Sequence, residues 1–87
     1  MMNDKMLSML RCPKDRSPVH AAEPALVARL NAAIMAGRIR NQAGERVGRV
    51  IDGGLVREAG DLLYPIVDQI PVMLYEEAIL LEQLDGG

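Results

Sequence analysis

The sequence predicts a small α+β domain: a ribbon-like antiparallel sheet with a short N-terminal helix, an inserted helix and a C-terminal helix. Three observations carry this prediction. Short β-rich runs punctuated by Gly, Asp and Pro fill residues 46–74, apolar residues recur at helical spacing between Pro24 and Gly37, and a Cys12-Pro13 pair follows a short apolar stretch. With 87 residues, 49% of them apolar, the chain has enough material for one modest core and too little for two, so 1–87 is read as a single domain. That core contains neither Phe nor Trp and must be assembled from aliphatic side chains and six Met, which pack adaptably.

Asn3 or Asp4 can cap a first helix through Leu10, and Pro13 keeps it from continuing. Ser17 to Ala21 reads as a strand, with Pro18 confining it to an edge or delaying its start. Pro24 suits a first helical position and Gly37 a stop, while Leu26, Leu30, Ala33 and Ile34 form the apolar stripe between them. This helix and the polar loop Arg38–Glu45 form an insertion at about 23–45. Arg46–Ile51 and Leu55–Glu58 are expected to pair as a hairpin around Asp52-Gly53-Gly54. A turn at Gly60-Asp61 then leads into a strand Leu62–Tyr64 ending at Pro65. Ile70–Leu74 is extended and apolar, placed at an edge by Pro71, and Glu76–Leu84 is expected to be a terminal helix with Glu76 and Glu77 at its positive end.

Composition narrows the function classes. A formal charge of −2 does not favour broad attraction to nucleic acid. The single cysteine excludes an internal disulfide, and with no membrane-length apolar run and no signal-peptide pattern the expected location is cytoplasmic. Cys12, Asp15 and His20 are the metal-ligand types near the Cys-Pro pair, but one thiolate is short of the usual structural zinc set. The preferred reading makes Cys12 a small buried residue and lets Asp15 turn the chain by bonding its own backbone. Glu76 and Glu77, adjacent in sequence, do not converge as acid and base. Arg38, Arg40, Arg46 and Arg49 form the best basic cluster, without aromatic residues to stack bases.

Two segments, Leu10-Arg11-Cys12-Pro13 and Tyr64-Pro65-Ile66-Val67-Asp68-Gln69-Ile70-Pro71-Val72-Met73-Leu74, together resemble the Trm-one-twelve-like family of small zinc-ribbon-type proteins. The resemblance runs over roughly 6–19 and 55–78 and retains Cys12, Pro13, Tyr64, Pro65, Ile66, Asp68, Ile70 to Leu74, Glu77 and Ala78. Asp15 and Arg57 stand where the family pattern has its second and third cysteines, and Gln69 replaces its usual glycine.

The resemblance implies a non-catalytic adaptor that binds an S-adenosylmethionine-dependent methyltransferase acting on tRNA, ribosomal RNA or a translation factor. Strand addition and surplus aliphatic groups place the expected partner surface on Tyr64, Ile66, Ile70, Val72, Met73 and Leu74. Cys12 and Asp15 are expected to be a vestigial knuckle, with no cofactor and no zinc needed for folding. Two other classes stay open: a thiol redox or metal-sensing protein using Cys12, and direct RNA binding.

Overall fold

The computed structural model describes residues 10–84. The expected N-terminal helix over Asn3–Leu10 lies, apart from Leu10, outside the described residues. Among the described residues five strands make one antiparallel sheet, β1 (Val19–Ala21), β2 (Gly53–Arg57), β3 (Leu62–Val67), β4 (Ile70–Pro71) and β5 (Ile79–Leu80), accompanied by one α-helix, α1 (Pro24–Met35). The order is β1-β2-β3-β4, and β5 joins β3 on the side that β4 also uses. The fold class is therefore the α+β sheet the sequence predicts.

Strand alternation sorts the side chains onto two faces. Val56 pairs across from Leu63, and both pack with Leu30, Ala33 and Ile34 of α1 together with Ile39, Ile51 and Ile79. Leu55 pairs with Tyr64, and these join Cys12, Val19, Leu62 and Ala78 on the opposite face. Helix α1 begins as its sequence indicates, with Pro24 at its first position, where the missing N–H costs nothing. It ends in a Schellman arrangement: Arg38 N donates to Ala33 O and Gly37 N to Ile34 O, with Gly37 at φ +75°.

Four expectations are corrected. The hairpin at Asp52-Gly53-Gly54 does not form; both glycines lie in β2, opposite Ile66 and Pro65, and neither takes a positive φ. Gly54 is required by space: a Cβ there would sit 2.5 Å from a Leu63 methyl. Arg46–Ile51 is not a strand, because Asn31 of α1 supplies Ile51 with both backbone bonds, donating to its carbonyl at 2.9 Å and accepting from its N–H at 2.8 Å.

Strand β3 does not stop at Pro65 but runs through it to Val67. Gly54 O is turned towards Ala22 on the β1 side, so the Gly54–Pro65 pair needs no bond across β2–β3, and Pro65 only accepts on its other side, from Val72 N at 2.8 Å. Finally, Glu76–Leu84 is not one helix. Two 3₁₀ turns, Tyr75–Glu77 and Leu81–Leu84, flank β5. The free edge of β3 at Leu62 and Leu63 recruits Leu80 and Ile79 into the sheet, a tertiary pairing that outweighs local helical preference.

Candidate functional site

The first candidate is the turn Cys12–Ser17. Cys12 N donates to Ser17 O at 2.9 Å and Arg16 N to Cys12 O at 2.7 Å, so the chain folds back tightly, with Arg16 at φ 62°. Asp15 fixes the turn as expected, its carboxylate accepting from Ser17 N at 3.0 Å and Ser17 Oγ at 2.8 Å. These donors from Ser17, with smaller help from Cys12 and Arg57, lower the Asp15 pKa to about 2. Cys12 is fully buried, and its sulfur lies 2.8 Å from the Tyr64 hydroxyl. Burial, then the contact with Cys12, pushes the Tyr64 pKa above the ordinary tyrosine value.

Arg57 reaches the same point from β2. Its Nη1 donates to Asp15 Oδ2 at 3.4 Å and lies 3.9 Å from Cys12 Sγ, while Nε and Nη2 grip Asp61 at 2.6 and 2.7 Å. The structure thus brings Cys12, Asp15 and Arg57 together, although they are 42 or more residues apart on the two sides. His20 is exposed on β1, and no group of three metal-ligating side chains occurs among the described residues. This donor set does not suit the zinc that the family resemblance implies: one thiol and one carboxylate face a guanidinium, which repels a cation and offers it no lone pair. Asp61 is more than the turn residue its sequence context suggests; its spacing of four from Arg57 across that turn is the signal that identifies the pair.

The second candidate is the partner surface. Tyr64 is not on it, because the Leu55 pairing and the Cys12 contact place the ring in the core. Ile66 and Met73 are half-buried against the Cys12 cluster, and Val72 is half-buried along a cleft of about 450 Å³. Ile70 and Leu74 are 64% and 57% exposed. The segment is a hairpin rather than one extended run: Asp68 and Gln69 both take positive φ, 53° and 66°, the turn that matches strand twist.

Opposite Pro71, Ile66 uses its carbonyl towards Asp52 on the β2 side, so Pro71 turns its own polar positions outward. A proline there removes a donor from the exposed edge, which limits backbone strand addition and leaves the side chains of Ile70 and Leu74 as the presented feature. Of the basic cluster, Arg49 is engaged with Asp68 at 2.8 Å and Arg40 bonds Gly44 O at 2.9 Å. Arg40 and Arg46 face each other in an isolated antiparallel bridge, and Arg46 edges the same cleft as Val72.

The solution NMR structure of XF2673 from Xylella fastidiosa is similar to this chain, with 31% identity and a TM-score of 0.75, over 95% of this chain and 86% of that one. No protein-family model and no curated protein matches the chain.

Proposed function

We propose that this chain, which belongs to one family with XF2673 of Xylella fastidiosa and shares its fold along nearly its whole length, is an adaptor domain of the Trm-one-twelve-like type. In this reading the chain is a non-catalytic cytoplasmic protein that binds and stabilises or activates an S-adenosylmethionine-dependent methyltransferase. The substrate of that enzyme is tRNA, ribosomal RNA or a translation factor, so contact with RNA is indirect.

The observation that carries the reading is the exposure of Ile70 and Leu74 at the end of a sheet, inside the segment with the strongest family resemblance. Large apolar groups held out from a small domain are suited to docking in a partner's pockets. Pro71 makes side-chain docking, rather than a new backbone ladder, the main source of affinity. Ile66, Val72 and Met73 of the same segment are half-buried.

Affinity capture with the tagged full chain from its source cell tests this. The wild type is expected to recover a methyltransferase reproducibly, and Ile70→Glu/Leu74→Glu to lose it while keeping the wild-type circular dichroism spectrum. A wild type that recovers no methyltransferase, or a folded double variant with undiminished capture, overturns the reading. The thiol-sensing alternative is disfavoured by the complete burial of Cys12.

A further inference from the structure

The geometry points to Arg57 acting as an internal substitute for a metal ion: its guanidinium clamps the Cys12–Ser17 turn to the sheet from the position that a cation takes between the ligands of a thiolate knuckle. This inference is independent of the partner reading. Cys12 and Asp15 have the Cys-x2-Cys spacing of such a knuckle, with the second thiolate replaced by a carboxylate. Arg57 Nη1 lies within reach of both, 3.9 Å from the sulfur and 3.4 Å from Asp15 Oδ2, while the sulfur also meets the Tyr64 hydroxyl at 2.8 Å and the other Asp15 oxygen holds Ser17.

A structural metal joins chain segments by drawing several donors onto one centre of positive charge. Arg57 joins three segments in the same way. Nη1 holds the turn, the side chain rises from the end of β2, and the bidentate contact with Asp61 holds the β2–β3 turn. The fork geometry of a guanidinium suits this task, because its donors diverge in one plane while the charge is shared among them. A lysine at this position keeps the charge but loses the fork. The Arg57 side chain is only 15% exposed, although Asp15 and Asp61 are each 45% exposed, whereas both members of the Arg49–Asp68 pair lie in solvent. Opposed negative charges from Asp15 and Asp61 offset the positive charge, as anionic ligands do for a metal.

The inference is tested on the full chain by thermal unfolding and metal titration. The wild type is expected to show the same unfolding midpoint in EDTA and in excess zinc. Arg57→Met is expected to lower the midpoint, and Arg57→Lys to lower it by less. The double variant Asp15→Cys/Arg57→Cys combines with Cys12 to present three thiolates, with Asp61 beside them. Titrated with cobalt(II), it is expected to develop the visible absorption of a tetrahedral thiolate site and to gain thermal stability that EDTA reverses. A wild type that unfolds on chelation overturns the inference, as does an Arg57→Met midpoint equal to wild type. So does a double variant, folded or unfolded, that takes up no cobalt, because the three positions would then not converge.

Discussion

Asp15 owes its low pKa of about 2 chiefly to two hydrogen bonds from Ser17, with Arg57 adding a smaller attraction. A carboxylate whose folded pKa is depressed stabilises the fold above its unfolded pKa, and that contribution disappears as pH falls through the folded value. Asp61, lowered mainly by its bond to Arg57, acts in the same direction. Resistance to urea is therefore expected to decline as pH is lowered from 3.8 towards about 2, and Asp15→Asn to show a shallower decline over that window. Equal acid sensitivity in both proteins would count against the turn as a contributor. Gln69 presents a different case, an L-residue at φ 66° in a two-residue hairpin turn. Gln69→Gly relieves about 1 to 2 kcal/mol of left-handed strain and returns part of it as unfolded-chain entropy, for a net gain of about 0.5 to 1 kcal/mol in denaturant titration. The turn keeps its bond from the backbone of residue 69 to Asp52 at 3.0 Å, which does not depend on the side chain.

Helix α1 owes its place to one stripe and one polar hook. Leu30 is fully buried at the centre of the stripe, so Leu30→Ala is expected to cost about 2 to 4 kcal/mol through lost burial and the cavity left behind. Arg40→Ala removes a surface bond to Gly44 O and is expected to cost under about 1 kcal/mol by the same measurement. Equal small effects would mean that α1 is not docked. The stripe and the Pro24 and Gly37 boundaries were legible because they are local properties of the helix period and of backbone stereochemistry. Asn31 was not legible as a hook, since its partner Ile51 lies 20 residues away. The role of Gly54 was not legible for a related reason: a glycine can supply a positive φ or permit a close approach, and only the position of Leu63 decides between them.

The two apolar clusters lie on opposite faces of shared strands, with Leu55 and Tyr64 in one and Val56 and Leu63 in the other. Loss of β2 or β3 removes the support of both clusters at once, so the domain is expected to unfold in one cooperative transition. Far-ultraviolet dichroism and tyrosine fluorescence should give coincident midpoints; a tyrosine signal that changes earlier would show the Cys12 face opening by itself. Among the described residues no helix is long and apolar enough to cross a membrane, in line with the short apolar runs of the sequence. The sequence by itself determined the α+β class, the inserted helix, the edge position of Pro71 and the turn-forming role of Asp15, because each follows from short-range periodicity or the stereochemistry of one or two residues. Tertiary structure alone decided that Arg57 would meet Cys12 and Asp15, that Tyr64 would leave the surface, and that Ile79 and Leu80 would become a strand. Those outcomes depend on which distant groups share a face or an open hydrogen-bonding edge, and that is settled only when the sheet closes.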